Sequence, residues 1–173
     1  MLGALALATV DRLRNSVAAE GERSMSARAA LIHLRLRPGQ SIDFLARVLG
    51  ISHPAAVRLV GRLADEGLVE RRPGADMRSR ALVLTRAGQR AAVAAMAARL
   101  EAVSDVLAPL TAAERRALEP LLEKLLAGLT DDRWSARRIC RLCDFPACES
   151  RYCPVDHAAV DPVIPISAGS PAL

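Results

Sequence analysis

The segment ISHPAAVRLVGRLADEGLVERR, residues 51–72, decides the fold of this chain. Ser52 is a helix N-cap residue, and Pro54 falls in the first turn, where its missing N–H leaves no hydrogen bond unmade. The helix so begun runs to about Glu66 and stops at Gly67. Ala56, Leu59, Val60 and Leu63 share one face of it; His53, Pro54, Val57, Arg58 and Gly61 share the opposite one. Just upstream, Ser41 caps a shorter helix that turns Phe44, Leu45, Val48 and Leu49 inward and ends at Gly50. Two short helices joined by a Gly-containing turn form a helix-turn-helix. After Gly67 the period changes. Leu68 to Arg72 reads as a strand, Pro73-Gly74-Ala75-Asp76 as a turn, and RALVL (residues 80–84) as the returning strand. A β-hairpin directly behind the second helix is a wing.

Outward from this centre the chain is helical on both sides. Leu2, Ala6, Val10, Leu13 and Val17 step by three and four along an N-terminal helix, and a second runs from Ser26 to Leu36 before Arg37-Pro38-Gly39. Downstream, Thr85 caps a long helix from about Arg86 to Ala108, on which Val93, Met96, Leu100, Val103, Leu107 and Leu110 alternate in steps of three and four. Thr111 and Glu114 have capping-box spacing and open a last helix with Leu118, Leu121, Leu122, Leu125 and Leu129 in a broad stripe. A small winged domain cannot cover three such stripes alone, so the reading favours a helical dimer interface over internal packing. The fold class expected is mainly α with a small β-hairpin wing, the helix-turn-helix being flanked by dimerisation helices.

Composition agrees. Aromatic residues are 2% of the 173, which disfavours an all-β sandwich, while Ala, Leu and Arg dominate. The net charge of +5 is unevenly spread. Residues 1–50 carry seven Arg against four acids and residues 51–100 nine against four, whereas residues 101–132 carry three bases against seven acids. The basic half suits a polyanion, or is the solvated surface of an Ala/Arg-biased chain. No apolar run approaches the roughly 18 residues that span a bilayer, and Met1–Val10 lacks the basic start and cleavage site of a signal peptide. The expected location is cytoplasmic.

The outward face of the Ser52–Glu66 helix carries His53, Val57 and Arg58 and no acid. Such a face fits the major groove of double-stranded DNA, with Arg forking onto guanine and Val touching a thymine methyl. The alternative is an exposed helix with two ordinary arginines, and His53 taken alone reads as a solvated side chain. Arg62 lies at its edge, placed for a phosphate, and Ser52 with the free N–H groups at the helix start offers another phosphate site. The wing adds Arg71 and Arg72 on its first strand and Arg78 and Arg80 at and beyond the tip, for the minor groove. Asp76 is expected to orient a wing arginine such as Arg78.

These residues resemble the MarR family of bacterial transcription regulators. The likeness rests on the helix pair with residues 51–72, on D-x-R at Asp76 and Arg78, and on L-T-x-x-G at Leu84, Thr85 and Gly88. The order helix, helix, wing, long helix, leucine-rich helix extends it over about residues 1–130. It implies a homodimer whose terminal helices pair, bound to a pseudo-palindromic operator, usually as a repressor relieved by a ligand or oxidant. The sequence departs from the family in Ala55, Ala56 and Gly61, where polar residues are common, and in everything after about residue 130. A protein-docking use of the winged helix, responsive to metal or redox state, is the alternative.

That last part, residues 131–157, holds all four cysteines, Cys140-x2-Cys143-x4-Cys148-x4-Cys153, with His157 four residues on. Thiolates this close point to metal ligation, first a zinc ion held by all four, second an iron–sulfur cluster, third a metal-free thiol pair that senses oxidants. His157 is read as a solvated side chain. Trp134, Phe145 and Tyr152 are expected to pack a tiny core around the metal, and residues 158–173 to form a mobile tail. No paired acid and base stand at catalytic spacing, and no Gly-rich phosphate loop or thioredoxin-like βαβ unit accompanies the cysteines. The sequence carries no enzyme signature.

Overall fold

Five of the eight described helices begin at a side-chain cap. In the computed structural model, which describes residues 1–16, 23–73, 80–143 and 153–159, α1 spans Leu2–Asn15. Ser24 accepts from the Ala27 amide and opens α2 (Met25–Leu36); Ser41 accepts from the Phe44 amide and opens α3 (Ile42–Leu49). Gly50 closes α3 in the left-handed region (φ 65°), which lets the chain turn into α4 (His53–Asp65). Thr85 caps α5 (Arg86–Leu107), and Thr111 with Glu114 forms a reciprocal capping box on α6 (Ala112–Gly128). Each such cap is worth about 1 kcal/mol.

The winged core is assembled around α2, whose residues 27–34 are all buried. Leu31 and Leu34 meet Leu45 and Leu49 of α3, Leu59, Val60 and Leu63 of α4, and Leu68, Val69 and Leu82 of the hairpin. The hairpin pairs β1 (Val69–Pro73) antiparallel to β2 (Arg80–Leu84), with Val69 opposite Leu84. Pro73, expected in the turn, is instead the last strand residue, opposite Arg80. A two-stranded ribbon leaves an outer edge that asks nothing of the missing proline N–H. The wing tip, with Asp76 and Arg78, lies outside the described residues. A further bridge pairs Gln40 with Leu82, so the α2–α3 link acts as a short third strand.

Gly88 explains the spacing Leu84-Thr85-x-x-Gly88. A methyl at position 88 would run into the carbonyl oxygen of Leu68, so α5 presses its first turn directly on the backbone after α4. Thr85 fastens the same joint, its hydroxyl donating to the Gly67 carbonyl at 2.7 Å. At the other end, buried Arg28 donates to the carbonyls of Leu13 (2.6 Å) and Arg14 (3.1 Å), closing the C-terminus of α1 with a positive charge.

The flanking helices leave apolar surface open. On α5 the small residues Ala92, Ala95 and Ala102 are buried, while Leu100 of the expected seam is 52% exposed. No residue of α6 or α1 is buried, and Leu121 and Leu125 are 59% and 49% exposed. Among the described residues no helix is long and apolar enough to cross a membrane.

Two short helices follow that the sequence reading did not anticipate. Asp132 and Ser135 cap each other at the start of α7 (Arg133–Ile139), and α8 spans Pro154–Ala158. The Ser135 amide, 2.6 Å away, holds the Asp132 carboxyl below its ordinary pKa. α7 packs on α3, α8 packs on α6, and Arg133 pairs with Asp156 at 3.0 Å between them.

Candidate nucleic-acid interface

α4 is amphipathic, and packing settles which face looks out. Ala56, Leu59, Val60 and Leu63 are buried in the winged core, which leaves His53, Pro54, Val57 and Arg58 exposed together on the other side. Ser52 is the N-cap but makes no side-chain capping bond, so its hydroxyl is not tied to the helix start. Arg62 is exposed one turn beyond Arg58. Arg58, Arg62, Arg71 and Arg80 take part in no ion pair among the described residues, whereas Arg72 folds back on Glu70 at 3.0 Å. α4 and the adjoining hairpin thus carry a group of exposed cations, of which Arg72 is partly neutralised.

One residue of this surface escaped the sequence reading. Asp43, in the first turn of α3, meets His53 at 2.6 Å from its Oδ1 to the ring Nδ1. With a proton on Nδ1 the neutral ring presents Nε2 outward as an acceptor; a second proton makes both nitrogens donors. The contact also ties the start of α4 to α3 across the turn. Asp43 is visible in the sequence only as an acidic residue near a helix N-terminus.

The C-terminal segment is fastened to the same helix pair. Trp134 meets Phe44 of α3 edge-on at 5.5 Å between centroids, the Arg47 guanidinium lies 4.9 Å above Trp134, and Arg137 lies 5.0 Å from Phe44 and 5.2 Å from Trp134. Such ring and guanidinium contacts contribute roughly 0.5–1 kcal/mol each. Trp134 therefore packs against α3, contrary to the expectation of an aromatic core around a metal. Its neighbours on α7 point the other way: Ala136 and Cys140 form a small second core with Val155, against which Cys143 and Cys153 pack. The Cys143 amide donates to the Cys140 carbonyl at 2.9 Å, and Cys153 caps α8. Cys148, Phe145 and Tyr152 lie outside the described residues. Among the described residues no three His, Cys, Asp or Glu side chains are arranged to hold a metal ion.

The fold of the winged region is shared with known proteins. A model of the MarR family matches residues 24–79. The Mycobacterium tuberculosis MarR family protein Rv2887 in complex with DNA is 30% identical, the match covering 72% of this chain and 97% of that one at a TM-score of 0.57. The same protein in complex with salicylic acid matches at 29% identity, covering 72% and 92%, with a TM-score of 0.59. Apo wild-type MarR from E. coli shares the fold at 24% identity, covering 72% and 93%, with a TM-score of 0.64. No curated protein matches the chain.

Proposed function

The chain belongs to the MarR family, and from that premise we propose that it is a transcriptional regulator binding a pseudo-palindromic operator in double-stranded DNA as a homodimer, most simply as a repressor, in the cytoplasm. The observation that carries this reading is the outward face of α4. It exposes Val57 and Arg58 with no acid between His53 and Arg62, beside a hairpin that adds Arg71 and Arg80. α4 enters the major groove, Arg58 reads a guanine edge, and Arg62 and the hairpin arginines neutralise phosphates. Two copies place two such helices on half-sites about one DNA turn apart, roughly 34 Å. The uncovered leucines of α1, α5 and α6 supply the pairing surface. Family members are regulators, and no catalytic role is assigned to any residue.

The test is selection of binding sites from a random duplex pool with the full-length protein, followed by titrations over a range of salt. An enriched two-fold-symmetric sequence is expected, with log affinity falling linearly against log salt as counterions return. No enrichment together with flat salt dependence would overturn the reading and favour a protein-docking role for the winged domain.

For the C-terminal segment we propose a zinc ion held by Cys140, Cys143, Cys148 and Cys153. Supporting this are the spacing of four thiols within fourteen residues and the packing of three of them against one small core. Zinc there would join α7 and α8 without redox chemistry. Elemental analysis and an absorption spectrum of anaerobically purified protein decide it. Colourless protein with stoichiometric zinc supports the proposal. A brown protein with iron and sulfide replaces it with an iron–sulfur cluster, and metal-free protein with a thiol pair.

A further inference from the structure

We propose that α7 is a second DNA-contact element, and that Arg138 on it binds a backbone phosphate beside the N-terminal end of α4. The inference rests on the DNA-binding reading and deepens it, because it adds a residue from outside the winged domain to the same interface.

An open cleft of about 1010 Å³ runs between α3, the start of α4 and α7; Ser41, Asp43, Arg47 and His53 line it from one side, Trp134 and Arg138 from the other. The cleft thus includes the first residue of the helix that enters the groove. DNA strands flank that groove, so a cation in the cleft lies beside the sugar–phosphate backbone and away from base edges. Arg138 is exposed and takes part in no ion pair among the described residues. Its aliphatic stem rests against the turn between α3 and α4, with Cδ 3.4 Å from where a Cβ on Gly50 would stand. The cleft's other arginine, Arg47, keeps its charge but is held over the Trp134 ring. The cleft's one carboxylate, Asp43, is held against His53 at 2.6 Å, on the wall opposite Arg138. Arg138 adds a positive charge to the α7 wall of the cleft, where its nearest acidic influence is Asp132 at the start of the same helix.

Two contacts keep it there. Trp134 and Arg137 fasten α7 to Phe44, and Ala136 with Cys140 anchors the opposite face in the cysteine-bearing core. Trp134 is accordingly a positioning residue for Arg138. The cysteine segment then has a direct route to the operator: it sets where one arginine stands relative to α4.

The test compares full-length wild type with R138Q, R138K and W134A on the selected operator and on random duplex DNA, from about 50 to 200 mM salt. R138Q should bind both DNAs roughly 3- to 10-fold more weakly, with a salt slope shallower by about 1 per protomer and the sequence preference retained. R138K should restore the slope, and W134A should reproduce that of R138Q. Wild-type affinity and slope in R138Q would overturn the proposal. So would an equal loss in R138K, which traces the effect to packing on Gly50 instead of charge. If wild type itself neither selects a sequence nor responds to salt, the DNA-binding reading falls; if it does both and R138Q is indifferent, only the role of Arg138 falls.

Discussion

His33 lies at 1% exposure within α2, its ring 5.5 Å from that of Phe44, and its pKa is lowered from 6.5 to about 4. Loss of hydration is the main cause, and the positive charges of Arg37 and Arg137 add to it. Between those two values the unfolded chain binds a proton that the folded protein refuses. Stability is therefore complete above about pH 6.5, falls as the pH drops towards about 4, and levels off below, a loss on the order of 1–3 kcal/mol. Denaturant melts of wild type and His33→Phe from pH 7 to pH 4 check this. The variant should lose less stability through the window, and parallel curves would remove His33 as the cause. Gly88→Ala belongs to the same scale. Its methyl meets the Leu68 backbone carbonyl, not a yielding side chain, so a loss of at least about 2 kcal/mol is expected. A wild-type denaturation midpoint would contradict it. The glycine was legible in the sequence as part of Leu84-Thr85-x-x-Gly88; the carbonyl that forbids a side chain there was not, because it comes from a turn twenty residues earlier.

At the scale of elements, α4 divides its arginines by position. Arg58 shares the outward face with Val57, and Arg62 stands one turn further on. Arg58→Ala should cost about 1–3 kcal/mol on the operator and relax preference at one base pair. Arg62→Ala should weaken operator and random DNA alike and flatten the salt slope by about 1 per protomer. Site selection repeated with each variant distinguishes them, and an unchanged consensus with Arg58→Ala would take base reading away from it. This helix was legible throughout, since its 3.6 period, Pro54 and Gly67 are local signals that burial obeys. α7 was not. Seven residues hold too few turns for periodicity to show, and its start is marked only by the Asp132 and Ser135 pair. Pro73 was misplaced for a related reason: proline marks turns and ribbon edges equally, and only pairing with Arg80 separates the two.

At the scale of the whole molecule, the described residues leave apolar surface open. Its winged core is closed, yet α1, α5 and α6 show Leu5, Leu100, Leu121 and Leu125 to solvent, each about half exposed or more. Apolar surface on several helices at once is costly for a monomer and suits a partner of the same kind. Wild type is expected to sediment as a dimer at micromolar concentration. Leu121→Glu combined with Leu125→Glu should shift it towards monomer and weaken operator binding far more than any single α4 substitution. A monomeric wild type would sink the dimer at once.

Read alone, the sequence determined α1 to α6, the caps at Ser41, Thr85 and Thr111, the hairpin, the inner and outer faces of α4, and the open stripes, because periodicity, capping and turn glycines act within about four residues along the chain. Tertiary structure decided the rest: that Asp43 holds His53, that Leu68 demands Gly88, and that Trp134 carries α7 onto α3 ninety residues away. Those choices follow from which surfaces bury one another after distant segments meet. No local pattern encodes them, since the energy that selects each neighbour exists only once both partners are in place.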